Sequence, residues 1–204
     1  MEQIYRYFAN NPVEVVGAVL TLWSVFLNIR QNSWGWLVGI VSVLCYVYVF
    51  FKAMLLGDFL LNIYYFLVSI YGFYKWRVGS EHKTALEISS LSFSNFLKIS
   101  VLGVFLSIAL GKLFSTYPQA SLPYWDATTT AYSVLAQVLL ARKKLENWLF
   151  WIFINVLCVG IYFYKELYAS SILYFFLLLM ALQGYQSWRK ELLSTNLFWN
   201  KNPI

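Results

Sequence analysis

The sequence predicts an all-α integral membrane protein of seven transmembrane helices, with two parallel triplets separated by one extra helix. The composition comes first: the 204 residues are 60% hydrophobic and 12% charged, with a mean hydropathy of +0.61. Soluble domains carry about 25% charge, so most of these side chains have no aqueous face to occupy. Next, seven apolar runs separated by polar or basic residues are each near the ~20 residues that cross a bilayer. Finally, sequence patterns from the first three runs return in the last three.

The runs are 12–29, 34–51, 59–76, 96–114, 123–141, 148–164 and 167–188. Pro12 and Pro123 open the first and fifth, where a proline loses no helical hydrogen bond. Seven spans put the termini on opposite sides of the membrane. One side would carry Arg30, Lys75, Arg77, Lys83, Arg142, Lys143, Lys144, Arg189, Lys190 and Lys201, the other Arg6, Lys52, Lys112 and Lys165. Basic loops stay in the cytoplasm, so the C-terminus is expected inside and the N-terminus outside, with the Arg142–Lys144 run as the strongest marker.

The opening MEQIYRYFANNP has no basic start followed by a short apolar block and a small-residue cleavage site, so no cleavable signal peptide is expected. The net charge of +6 is spread over helix ends rather than gathered on one face, which argues against a nucleic-acid partner. Cys45 and Cys158 sit within apolar runs without CxxC or Cys/His spacing, so neither a metal site nor a disulfide is expected. His82 reads as an ordinary loop residue. No HExxH, GxSxG or GxxxxGK[ST] pattern occurs, so neither enzymatic chemistry nor ATP coupling is expected, and no cofactor is implied. No Asp, Glu or His lies centrally in a span as a proton relay, and passive carriage is the simplest mechanism.

The repeat is read from three matches. TLWSVFLN (21–28) resembles TAYSVLAQ (130–137), 109 positions on; SVLCYVYVFFK resembles NVLCVGIYFYK at a spacing of 113; and Gly72, Trp76 and Arg77 return as Gly184, Trp188 and Arg189 at 112. These define repeat one at 12–77, a linker helix at 96–114 and repeat two at 123–189. Cys45 and Cys158, and Asn28 and Gln137, are then expected to be equivalents. Equivalent helices are four spans apart, an even number, so both copies run the same way, and such repeats often share a substrate path.

Polar residues fall on helical faces. Asp126, Thr130, Ser133 and Gln137 form one stripe; Thr21, Ser24 and Asn28 form another; Asp58, Asn62, Tyr65 and Ser69 a third; and Trp148, Trp151 and Asn155 a fourth. Polar groups in hydrocarbon need a partner or a wet cavity, so these stripes are expected to turn inward. For a single Ser or Thr, helix-to-helix bonding is the simpler reading. Amides offer both donors and acceptors, which selects Asn62, Gln137 and Asn155 for the path. Asp58 and Asp126 are expected as solvated residues near the outer helix ends. Trp23, Trp76, Trp188 and Trp199 are expected in the interfacial belt. Trp34, Trp36, Trp148 and Trp151 either join them or face a flat cationic ring.

The patterns NSWGW (32–36), LNIYY (61–65), SIYGFYKW (69–76) and ENWLFW (146–151) resemble the PnuC family of bacterial vitamin transporters over nearly the whole chain. Phe73 stands where the family usually has Trp. The resemblance implies a three-plus-one-plus-three fold akin to a doubled SWEET half and a homotrimer in the inner membrane. It also implies facilitated diffusion of an unphosphorylated vitamin, which a separate cytoplasmic kinase then traps. The LNIYY pattern is closer to the thiamine-type members, so thiamine ranks ahead of nicotinamide riboside. A vitamin-binding sensor or assembly subunit is the alternative of another class. The expected substrate-binding residues are Asn62, Tyr65, Gln137, Asn155, Trp148, Trp151, Trp36, Asn28, Ser133 and Thr130. No metal is expected.

Overall fold

A computed structural model describes residues 11–52, 56–79, 86–117 and 121–201 of the protein. The N-terminal segment with Arg6, the loop residues His82 and Lys83, and the side chains of Trp199 and Lys201 lie outside the described residues. Among the described residues seven helices run in order: α1 (Pro12–Ile29), α2 (Trp34–Lys52), α3 (Leu56–Val78), α4 (Phe93–Phe114), α5 (Pro123–Ala141), α6 (Asn147–Tyr164) and α7 (Tyr168–Lys201). By length and composition α1, α2, α4 and α6 can each cross a membrane. Their 18 to 22 residues span about 27–33 Å at ~1.5 Å per residue, close to the hydrocarbon thickness.

Three helix ends differ from the expected ones by three residues or more, each for a local reason. Asp58 lies inside the first turn of α3, where its charge favours the positive end of the helix, so the helix begins before the apolar run does. The Ser92 hydroxyl caps α4 by accepting from the Asn95 N–H at 3.3 Å. α7 continues thirteen residues past Trp188 through a segment rich in helix formers such as RKELL, because a helix need not stop where the apolar run stops.

The described residues form two compact units, one with α1–α3 and the other with α4–α7. In the first, α2 packs against both α1 and α3; in the second, α4 packs on α5, α5 on α6 and α6 on α7. Small and polar residues fill the helix contacts (Gly17, Ser24 and Ser42 in the first unit, Ala127, Ala131 and Ala136 in the second), while Phe51 and Phe105 are about two-thirds exposed. Large apolar side chains outside and small ones inside suit a lipid solvent. The Ser42 hydroxyl donates to the Gly17 carbonyl at 2.8 Å and lies 2.7 Å from the Thr21 hydroxyl; Ser24 donates to the Gly35 carbonyl at 2.8 Å. The Thr21 and Ser24 stripe therefore binds α1 to α2.

The repeat register differs from the one expected. α1 and α5 end in the same turn, with Gln31 at φ 55° and Lys143 at φ 49°. In each, the first residue past the left-handed one donates five residues back (Asn32 to Leu27, Lys144 to Leu139), and the left-handed residue donates three back (Gln31 to Asn28, Lys143 to Leu140). This is the Schellman closure, and every pair of matching residues is 112 apart. The same spacing holds along α2 and α6: Ser42 and Ile154 are both buried, and Val41 and Phe153 both exposed. The spacing of 113 would instead match Val41, 51% exposed, with Ile154, 1% exposed. Cys45 and Cys158 are therefore not equivalents, and Cys158 corresponds to Tyr46. The TLWSVFLN and TAYSVLAQ ladders are likewise three residues out of register, so Leu140, not Gln137, is the equivalent of Asn28.

Candidate functional site

Each unit is organised around a buried tryptophan. Trp36 on α2 and Trp148 on α6 are at most 2% exposed. Trp36 lies against Gly72 of α3 and meets Trp76 edge-on, with ring centroids 5.4 Å apart and planes at 89°. Trp148 does the same with Gly184 and Trp188 of α7, at the same 5.4 Å and 89°. A Cβ at either glycine would come within 2.6–2.7 Å of the indole, so only glycine lets the ring lie flat on the helix. Trp76 and Trp188, expected in the interfacial belt, are instead buried members of these pairs. Trp23 and Trp34 are more than half exposed, as belt residues would be.

The candidate amides differ in how they are held. In the first unit Asn62 is buried on α3 and its Nδ2 donates to its own helix at the Asp58 carbonyl, 2.9 Å away. Half-buried Tyr65 has its ring 5.8 Å from that of Tyr64. Asn28 is 5% exposed, and its Oδ1 is buried without a protein partner, as is the Trp36 Nε1–H. In the second unit Gln137 is half-buried on α5, while Ser133 on α5 and Asn155 on α6 are buried. Thr130 is committed to its own helix, donating to the Asp126 carbonyl at 2.8 Å. Trp151 packs against the core cluster of Tyr132, Ala136, Leu139, Phe150, Ile154 and Cys158.

Asp126 is not a freely solvated end residue. Its carboxylate accepts both contacts from the Lys165 Nζ, at 3.0 and 3.1 Å, tying the start of α5 to the end of α6. Asp58 is exposed, as expected.

The basic run 142–144 is also more than a charge marker. Residues 88–91 lie across it. Ser89 donates to the Lys143 carbonyl at 3.1 Å and accepts from the Leu145 N–H at 2.9 Å, the Lys144 Nζ donates to the Ser89 hydroxyl at 2.9 Å, and Glu146 Oε1 accepts from the Leu91 N–H at 2.9 Å. Only Arg142 of the three is exposed; Lys143 is 7% exposed. Burial pushes the Lys143 amine below its usual range, against the opposing pull of Glu191 and Glu87.

Asn147 stands one residue before the expected start of the sixth span and belongs to none of the expected polar stripes. It is wholly buried, its Nδ2 donates to the Lys144 carbonyl at 2.6 Å, and its Oδ1, like the Trp148 Nε1–H, has no protein partner. Its place in ENWLFW was the available signal. Two shallow apolar grooves on α4, α5 and α6, about 250 and 220 Å³, share Tyr132 and Phe153 and involve none of the ten candidates.

Apolar helices with exposed apolar side chains and buried amide and indole groups have the build of a membrane transporter. The chain belongs to the family described as nicotinamide mononucleotide transporter, which it matches over residues 11–190. It is a vitamin transporter of the PnuC type, within a multi-pass membrane family. It is 27% identical over 201 residues to the nicotinamide riboside transporter PnuC of Escherichia coli (strain K12), covering 86% of this chain and 84% of that protein. The riboflavin/roseoflavin transporter RibM of Streptomyces davaonensis is 26% identical over 182 residues, covering 86% and 83%. The crystal structure of the vitamin B3 transporter PnuC matches with a TM-score of 0.71 and 25% identity, covering 91% of this chain and 85% of that one.

Proposed function

We propose that the protein carries nicotinamide riboside across the inner membrane by facilitated diffusion. The observation that carries this reading is the match, along more than four-fifths of both chains, to relatives named as nicotinamide riboside transporters. It reverses the ranking expected from the LNIYY pattern, which placed thiamine first. The residue types suit the cargo: the first unit carries Asn62, Tyr65 and Trp36, and the second Gln137, Asn155, Ser133, Thr130, Trp148 and Trp151. Aromatic faces attract a flat cation, and amides bond its hydroxyl and carboxamide groups without the cost of a buried charge. The charge asymmetry supports a cytoplasmic C-terminus, and the family resemblance supports a homotrimer coupled to a cytoplasmic kinase that traps the vitamin.

Thiamine is the second reading, favoured by Leu61-Asn-Ile-Tyr-Tyr65, whose Asn62 is buried on α3. The test is counterflow of labelled nicotinamide riboside in proteoliposomes without an ion gradient, with unlabelled thiamine or riboflavin as competitor. Exchange blocked by nicotinamide riboside and not by thiamine is the expected result. Preferential exchange of thiamine would reverse the ranking, and vitamin binding without exchange would support a sensor. Asn62→Leu is expected to lower exchange at least about tenfold, with unchanged membrane insertion, whereas Ser24→Ala removes one packing bond and costs about 1 kcal/mol of stability.

A further inference from the structure

The two units meet the same packing requirement with a carboxamide on opposite helices. In the first, Asn28 of α1 reaches the first turn of α2, and its Oδ1 fills the place a Cβ of Gly35 would take. In the second, position 140 of α5 is leucine, and the amide comes from Asn147 in the first turn of α6. Asn28 matches Leu140, and Gly35 matches Asn147, at the spacing fixed by the turn and by the tryptophan pairs. Each exchange is complementary: where the first helix carries the amide the second has no side chain, and where the second carries it the first is apolar.

In both units the amide oxygen is buried without a protein partner, and so is the Nε1–H of the tryptophan that follows Gly35 or Asn147. Leu140 shows that an apolar side chain fits at the α1-type position, and Gly35 that the α2-type position can do without a side chain. Filling space therefore requires no amide at either position. An unsatisfied polar atom is costly in such a site, yet one is kept in each unit, from a different helix.

We propose that Asn28 and Asn147 are the same positioning residue placed on opposite helices, each fixing the turn and first helical residues that orient the following indole, Trp36 or Trp148. The proposal rests on the transport reading only where uptake is measured.

The swap is testable in the purified full chain. Gly35→Asn alone drives its side chain into Asn28, and Asn28→Leu alone removes the carboxamide. Each is expected to alter the near-UV circular dichroism of the indoles and to lower nicotinamide riboside uptake about tenfold, as a misaligned site would. The double variant Asn28→Leu/Gly35→Asn copies the second unit and is expected to restore the indole spectrum, the melting temperature and uptake to within about threefold of wild type. The reciprocal Leu140→Asn/Asn147→Gly is expected to recover in the same way against its own single variants. A double variant that fails to insert, or is no better than its worse single variant in spectrum and melting temperature, overturns the equivalence. Spectrum and melting need no substrate, so a chain that does not move nicotinamide riboside refutes the transport reading while the swap is still decided.

Discussion

The two helix triplets share what sets the path of the chain and differ in what covers it. Both have a left-handed turn without glycine at Gln31 or Lys143, a tryptophan lying flat on a glycine, and an edge-on partner tryptophan. The second unit adds two supports. α4 lies along α5, where Gly103 receives the Tyr132 ring and the Tyr132 hydroxyl donates to the Ser100 carbonyl at 2.9 Å. The clasp at Ser89 and Leu91 then closes over the α5–α6 turn. The lock and the turn are thus the common element, and the coverings are individual.

The comparison breaks most visibly at the locks. Trp36→Ala and Trp148→Ala each empty a fully packed place and are expected to cost about 3–5 kcal/mol, read as detergent melting temperature; a much smaller loss for Trp36 would show the first lock to be looser. Gly72→Ala and Gly184→Ala press a methyl into the ring and are expected to cost about 1–3 kcal/mol each, with parallel losses of uptake. Glu146→Ala removes the acceptor of the Leu91 N–H and is expected to cost about 1–2 kcal/mol. Its counterpart Trp34 is exposed, so Trp34→Ala should stay within about 0.5 kcal/mol, and equal costs would mean the clasp is not what distinguishes the units.

The remaining effects are gains. Gln31→Gly and Lys143→Gly relieve a left-handed residue and are expected to stabilise by about 1 kcal/mol. Lys143→Gly should gain more at neutral pH, since it also removes an amine whose charged form is disfavoured by burial. The folded-state pKa lies below the model-peptide 10.5, so wild type is penalised while the amine is charged and recovers as pH rises through that lowered value toward 10.5. The two glycine variants should therefore converge in alkaline buffer, and a gap independent of pH would remove Lys143 burial as its cause.

Much of the fold was legible in order and kind because long apolar runs leave a helix little alternative in lipid. The Gly72–Trp76 and Gly184–Trp188 pattern was legible as a repeat, but its meaning was not: nothing in the spacing says that a ring from α2 or α6 will lie on that glycine. The ladders at 21–28 and 130–137 misled because Thr, Ser and amide residues recur every three or four positions on many helices, and a slip of three residues keeps nearly the same face. Asn147 and Ser89 were missed because their partners belong to a turn and are mostly backbone groups, which leaves no helical side-chain pattern.

By itself the sequence determined the solvent, the seven helices, the presence of a repeat and the family, since these follow from local hydropathy and from motifs contiguous in the chain. The tertiary structure alone decided the register, the burial of Trp76 and Trp188, the pairing of Asp126 with Lys165 and the exchange of the buried amide between helices. Each of those depends on which side chain of one helix fills the space left by a neighbour, and that is settled only when the helices pack.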